Sequence, residues 1–370
     1  MDLTRLCHQL RQEPLLHLSL GSKELFHSNL LGWMCKQFPA ESTSVLAPWL
    51  REDSSCATLK IQHEHKHLDL VVRLPGYAPL VKENKMFSLP DEDQLRSYVT
   101  NVIGAIAPEP SLLLVSLTDP GWPNGAFEVE GGTWRYVPWR VLARRLLAEF
   151  GDQPRFETQV LAHEARLLDL LDQVMRELSV SSPDEPFLLP EATTRQLQGV
   201  RIAAAIEKIR MYQVMHRIRA QYTANQLRPD KSEVNFTNGT PLMSAYWDAD
   251  GAGNSVGWQY QGKQWRLAMT LKSMAGKEKT GQRAAYAATQ SGWFNFEHLC
   301  QILATSDDKL RPKQSRTPPD GFNKYNPDFV YQYRLLPANT TVGQVVQAAL
   351  VYGHAAAAWQ FDPPPPGTVL

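Results

Sequence analysis

The chain is poor in the features that mark several large protein classes. It has four cysteines in 370 residues, Cys7, Cys35, Cys56 and Cys300, with no C-x-x-C pair among them. That scatter excludes a disulfide framework and a cysteine zinc site, and it points to reduced thiols in a cytoplasmic protein. No stretch approaches the roughly 20 apolar residues of a membrane span. The opening MDLTRLCHQLRQEP mixes charges every few residues and lacks an apolar leader region. A glycine-rich phosphate loop and a Walker-type lysine are also missing, so no built-in nucleoside triphosphatase is expected. Excess charge of one sign is missing too: 38 Lys and Arg balance 38 Asp and Glu. This disfavours a protein that coats nucleic acid by bulk charge. It does not disfavour an enzyme whose metal ions carry the positive charge.

The length exceeds what one hydrophobic core usually organises, so more than one domain is expected. Residues 22–38 read as a helix capped by Ser22, with Leu25, Phe26, Leu30, Trp33 and Met34 at helical spacing. Segments 58–63, 66–73 and 79–86 have β character, with Pro75-Gly76 as a turn. Ser88-Leu-Pro-Asp91 marks a helix start with serine as the cap, and Leu95, Tyr98, Val99, Val102, Ile103 and Ile106 form the buried stripe that follows. Residues 111–118 read as a buried strand, 134–137 as a short strand and 138–150 as an amphipathic helix. This order predicts an α/β domain over 1–156. Helical patterning over 158–178 and 191–222 predicts a helical connector over 157–227. After about 228 the composition shifts toward Gly, Asn, Trp and Tyr. Strands are expected at 242–248, 255–261 and 264–272, and helices at 293–304 and 341–358. An α+β C-terminal domain over 228–370 follows, ending in an extended proline tail at 363–366.

One constellation carries chemistry. In His67-Leu-Asp69-Leu-Val-Val-Arg73 the side chains alternate, so His67, Asp69 and Val71 share a face. A carboxylate in so apolar a strand is costly unless something compensates it. Val81, Glu83 and Lys85 share a face of the next strand. If the two strands pair across Pro75-Gly76, Asp69, Glu83 and Lys85 converge on one patch. Two carboxylates and an ammonium suit phosphodiester hydrolysis: the acids hold one or two Mg²⁺, and the amine orients a metal-activated water or stabilises developing charge. Gln94 and Tyr98 lie four apart on one face of the next helix, whose first turns flank the patch.

These residues resemble the PD-(D/E)xK nuclease superfamily, the restriction-endonuclease-like fold. The match is D-x13-E-N-K at Asp69, Glu83, Asn84 and Lys85, followed by Q-x3-Y at Gln94 and Tyr98, an element similar to that of the RecB-like branch. The segment Glu24-Leu-Phe-His27-Ser-Asn-Leu-Leu-Gly-Trp33 is similar to the first helix of a bacterial subfamily. The usual proline before the first acid is replaced by Leu68. The resemblance covers roughly residues 20–150 and implies a mixed sheet flanked by helices. It also implies Mg²⁺, with Mn²⁺ as a substitute, held by Asp69 and Glu83 with the Asn84 carbonyl. Glu24 is the matching candidate for a helix-borne extra ligand. Lys85 positions the attacking water and Gln94 supports the site. Two other triplets, Glu64-His-Lys66 and Asp307-Asp-Lys309, lack the upstream acid and downstream Gln/Tyr helix.

Tyr98, which orders its helix or contacts a phosphate, is a candidate for substrate binding, as are His27, one turn from Glu24, and His67, on the face of Asp69. A partly buried structural histidine is the plainer alternative for His27. His63, His65 and His67 alternate, which suits solvent-facing strand residues better than a metal cluster. The arginines of 191–222 and the basic loop Lys309–Arg316 are possible phosphate contacts or simply solvated faces. Trp258, Tyr260 and Trp265 fit base stacking or a core. The expected function is a Mg²⁺-dependent nuclease with DNA the favoured substrate, acting alone, as a homodimer or with a partner subunit. A restriction or anti-phage role follows by analogy. The alternatives are a catalytically silent nucleic-acid- or protein-binding subunit of a larger complex, and a RecB-type repair exonuclease.

Overall fold

The computed structural model describes residues 2–361 apart from 21, 22, 107, 108, 317, 319 and 326, so the expected Ser22 cap and the 363–366 proline segment lie outside the described residues. The chain divides into two compact units, one of residues 1–178 with 195–206 and the other of 179–194 with 207–370. The expected connector over 157–227 is thus shared between the two units. Both units are mixtures of helix and strand.

In the first unit, α1 (Leu3–Gln12), α2 (Pro14–Ser19), α3 (Lys23–Gln37) and α4 (Pro39–Leu46) precede the strands β1 (Lys60–His65), β2 (Leu68–Arg73) and β3 (Leu80–Lys85). Then come α5 (Glu92–Asn101), β4 (Ser111–Ser116), β5 (Ala126–Val129), β6 (Gly132–Pro138), α6 (Trp139–Phe150) and α7 (Phe156–Leu178). The six strands form one mixed sheet in the order β1-β2-β3-β4-β6-β5. β1, β2 and β3 are antiparallel, while β3, β4 and β6 run parallel. The run SLLLVS of β4 is almost wholly buried, as a central strand covered on both faces requires.

The β2–β3 register pairs Leu70 with Lys82, Val71 with Val81 and Val72 with Leu80. Val71 and Val81 join Leu95, Tyr98 and Val99 of α5 and Trp134 of β6 in one core. Asp69, Glu83 and Lys85 fall on that α5-covered face by alternation. Leu70, Lys82 and Asn84 fall on the other, toward α3. There Gly32 allows close approach, since a Cβ would overlap the His63 ring. The cap of α5 is Asp91, whose side chain accepts from Asp93 N and Gln94 N, rather than the expected Ser88.

α8 (Glu191–Gly199) and α9 (Ala203–Ala224) each run from one unit into the other. The second unit is built on an antiparallel sheet in the order β11-β12-β10-β9-β8-β7. Its strands are β7 (Lys231–Thr237), β8 (Thr240–Asp248), β9 (Ser255–Gln261), β10 (Gln264–Thr270), β11 (Asn323–Tyr325) and β12 (Phe329–Leu335). Its further helices are α10 (Thr280–Thr289), α11 (Glu297–Ile302), α12 (Asp307–Leu310) and α13 (Val342–Ala357). Trp258 and Trp265 are core residues, stacked at 4.9 Å between ring centres, and Tyr260 is buried with them, so base stacking by these three is excluded. The Trp258 indole donates to Tyr222 Oη at 2.7 Å, and that hydroxyl donates to Ala349 O at 3.0 Å, which ties α9 and α13 to β9. No described helix is long and apolar enough to cross a membrane.

Gly257 sits where β8 and β9 pair, opposite Tyr246. A Cβ there would overlap the Ala245 carbonyl oxygen and the Tyr246 ring. Gly257→Ala is therefore expected to destabilise the second unit by about 1–3 kcal/mol. Calorimetry checks this as a lowered unfolding transition; an unchanged melt would contradict the packing described.

Candidate active site

The β2–β3 pairing brings Asp69, Glu83 and Lys85 together on the α5 side of the sheet. Asp69 Oδ2 accepts from Asn84 N at 2.7 Å, which fixes the first acid against the second strand. Lys85 Nζ lies 3.0 Å from Glu83 Oε1 and donates to Gln94 Oε1 at 2.9 Å. Gln94 Nε2 donates in turn to Tyr98 Oη at 2.7 Å, and that hydroxyl donates to His67 O at 2.8 Å. A continuous chain of hydrogen bonds therefore runs from the amine through two successive turns of α5 to the β1–β2 hairpin. The four-residue spacing of Gln94 and Tyr98 makes it possible.

The electrostatics of the two acids follow from burial. Glu83 is 3% exposed, and desolvation followed by the neighbouring Asp69 pushes its carboxyl up to about 7, outweighing the ion pair with Lys85. Asp69 is also raised, again chiefly by burial, against the opposing hydrogen bond from Asn84 N and the charges of Lys82 and Lys85. Glu83 Oε2 is buried with no hydrogen-bond partner among the described residues. Two like-charged acids side by side, one with an unpartnered buried oxygen, fit a hard divalent cation. Such an ion takes oxygen ligands, and magnesium is typically held by one or two carboxylates while keeping several waters. No group of three or more His, Cys, Asp or Glu close enough to hold a metal occurs among the described residues.

Glu24 also reaches this neighbourhood. Its Oε1 accepts from Phe87 N at 3.0 Å and Ser88 N at 2.9 Å, clamping α3 to the chain just after β3. Its charge nevertheless contributes to raising Asp69.

Two candidate substrate contacts are placed otherwise. His27 is fully buried, its Nδ1 2.5 Å from Glu164 Oε1 on α7 and its ring 5.7 Å from that of Trp139. It is a structural group beneath the sheet, out of reach of a substrate. His67 is not on a strand: Lys66 and His67, both with positive φ (52° and 72°), form the β1–β2 turn, and the His67 side chain is exposed. What His67 supplies to the site is its carbonyl. Tyr98, with its hydroxyl committed to that carbonyl, orders α5 rather than reaching outward.

Three residues of the assembly escaped the sequence reading. Lys82 is 2% exposed, its Nζ is without a hydrogen-bond partner among the described residues, and it lies 4.7 Å from the centre of the Trp139 ring. Burial drives its amine down to about 7 against the pull of Asp69, Glu83, Glu164 and Cys35. The signal for it was the charge pattern Lys82-Glu83-Asn84-Lys85 inside a strand whose first five residues are buried. Ser28, whose hydroxyl accepts from Asn84 Nδ2, lay in plain view one turn from Glu24. Glu164 is 137 residues from its partner His27 and carried no local signal.

Four of the arginines offered as possible phosphate contacts have partners within the second unit. Arg210, Arg217 and Arg219 donate to the carbonyls of Pro186, Val180 and Ser232, and Arg311 pairs with Asp307. Comparison with family models, curated proteins and solved structures finds nothing that matches this chain.

The raised carboxyls have a measurable consequence. A carboxyl whose folded value lies above its unfolded one stabilises the fold below the ordinary carboxylate range, and that gain is lost as pH rises through the folded value. For Glu83 the window runs from about 4.5 to about 7. In metal-free buffer the stability of the wild type relative to Glu83→Gln is expected to fall across this window by on the order of 1–3 kcal/mol. Saturating Mg²⁺ is expected to cancel the fall. Melting curves at pH 5, 6, 7 and 7.5 measure it, and a pH-independent difference contradicts the paired-acid electrostatics.

Proposed function

We propose that the first unit is a divalent-metal-dependent nuclease, with DNA its favoured substrate and a restriction-endonuclease-like core as its fold. The observation that carries this reading is the meeting of Asp69 and Glu83 on paired strands with Lys85 held between Glu83 and Gln94. The mixed sheet with β3 parallel to β4 and α5 laid over the acids fits that core.

Asp69 and Glu83 would hold Mg²⁺ or Mn²⁺ together with the Asn84 carbonyl. When bound, the ion polarises the phosphoryl oxygen and lowers the pKa of a bound water. Lys85 orients the attacking water and places positive charge where negative charge develops. Gln94 holds that amine in place and passes the restraint to Tyr98, which is anchored on His67 O. Ser28 steadies the Asn84 side chain and Glu24 holds the backbone that follows Lys85. A chain without net charge suits this mechanism, because the ion supplies the positive charge at the cleft. The second unit would then provide specificity, sensing or self-association. A bacterial restriction or anti-phage role is the biological setting suggested by the resemblance.

Purified protein incubated with circular duplex DNA, linear DNA and RNA is expected to cleave DNA in Mg²⁺ or Mn²⁺ and to be inert in EDTA. Asp69→Ala and Lys85→Ala are each expected to lower cleavage by about a hundredfold or more while circular dichroism stays native. Unchanged cleavage in both variants rejects the assignment. Metal-independent binding of nucleic acid without any cleavage would favour a silent binding subunit instead.

A further inference from the structure

The second sheet carries a cation whose hydrogen bonds, among the described residues, go to no carboxylate. Its tryptophans and methionines point to one face, where they pack with α9 and α13. On the other face stands Arg266 of β10. Its Nε donates to Gln264 Oε1 at 2.8 Å, and its Nη1 to Gln259 Oε1 at 2.6 Å and Gln261 Oε1 at 2.7 Å. The guanidinium stacks 4.6 Å from the centre of the Tyr331 ring. Around it lie the phenol rings of Tyr331, Tyr246 and Tyr333, and its hydrogen bonds go to glutamine oxygens rather than to a carboxylate. Its Nη2 has no partner among the described residues. A half-buried guanidinium satisfied only by neutral amides is an unusual arrangement, because such charges are ordinarily paired.

The geometry around Arg266 is that of a binding site. It lines a cavity of about 560 Å³, within the ~300–1,000 Å³ range of small-molecule sites. Because Gln259 and Gln264 turn their amide oxygens toward the guanidinium, their NH₂ groups remain free to donate. Phe329, Tyr331 and Tyr325 bring three aromatic rings to the same cavity, and Tyr325 is 56% exposed. The second cation in the lining, Lys324, is paired with Asp320, and the one carboxylate is Asp328.

Each half of this surface excludes a simpler ligand. A bare inorganic anion would use Arg266 and the amides but leave the rings in water. An uncharged aromatic would cover the rings but leave the guanidinium uncompensated. We propose that this face of the second unit binds a nucleoside 5′-phosphate, with the phosphate on Arg266 and the glutamine amides and the base against Phe329 and Tyr325. The ligand is either a free nucleotide or the 5′-terminal nucleotide of a strand, which present the same chemistry. The site stands on the second unit alone and does not depend on the nuclease reading.

The test is equilibrium binding to the full-length protein in EDTA. The probes are AMP, GMP, CMP and UMP, with adenosine, inorganic phosphate and a short 5′-phosphorylated oligonucleotide as the other arms. At least one nucleoside monophosphate or the oligonucleotide is expected to bind about tenfold or more tightly than adenosine and inorganic phosphate. Arg266→Lys and Phe329→Leu are each expected to weaken that binding by about tenfold while the melting temperature holds, since a lysine cannot reproduce the planar fork and a leucine cannot stack. Asp69→Asn is expected to leave it unchanged. Tighter binding of the oligonucleotide than of the mononucleotides assigns the strand end, and the reverse assigns the free nucleotide. The proposal is overturned if neither binds. It is also overturned if binding is indifferent to both variants, or if it is lost in Asp69→Asn, which would place the ligand at the acids of the first unit.

Discussion

The site in the first unit depends on one pairing: β2 and β3 lie antiparallel in the register that sets Leu70 opposite Lys82. Side chains alternate across a strand, so a slip of one residue would send Asp69 and Glu83 to opposite faces of the sheet. In the observed register both acids share the α5 side, and the charge they bring there is held against its own repulsion by the apolar packing around them. Val71, Val81, Leu95 and Trp134 fix the strands and α5 around the buried Glu83, while Asp69 beside it is only partly covered. The same geometry raises both carboxyls, which is the feature the proposed shared cation would relieve.

The rest of the unit reads as support for that arrangement. The hydrogen-bond chain Lys85–Gln94–Tyr98–His67 O ties α5 to the hairpin and links the amine, the helix and the turn. On the reverse face the polar contacts Ser28–Asn84 and His27–Glu164 seat α3 against the sheet and α7. Lys82 lies on that reverse face with Trp139, a buried amine close enough to draw on the charge of both acids. Buried ionisable groups on both faces of one strand are expensive, and such expense tends to gather where a protein works rather than where it merely folds.

How much of this was legible beforehand differs from element to element. β2, β3 and α5 stand out in the sequence because alternation and helical spacing are local signals, and Asp69, Glu83, Lys85, Gln94 and Tyr98 could be grouped from them alone. The β1–β2 turn was not legible. Two-residue hairpins with positive φ usually carry Gly or Asn, and here Lys66 and His67 take that conformation, so nothing local separates them from the β pattern of 66–73. Asp91 rather than Ser88 caps the helix because the helix begins only at Glu92, and Ser88 N is held by Glu24, a contact from a helix more than sixty residues earlier. The buried role of His27 has no local signal, because its partner Glu164 is distant in the chain. β12 and α10 are not among the expected elements. The first has a clear alternation of its own, FVYQYRL; the second is rich in alanine and has little apolar stripe to find.

The claim on which the account rests is that Asp69 and Glu83 share one divalent ion. Diffraction from crystals soaked in Mn²⁺, recorded at the manganese absorption edge, addresses it directly. The account predicts an anomalous peak about 2.1 Å from a carboxylate oxygen of both residues. A peak bound to only one of them, or ordered manganese elsewhere with none between the two acids, would contradict it.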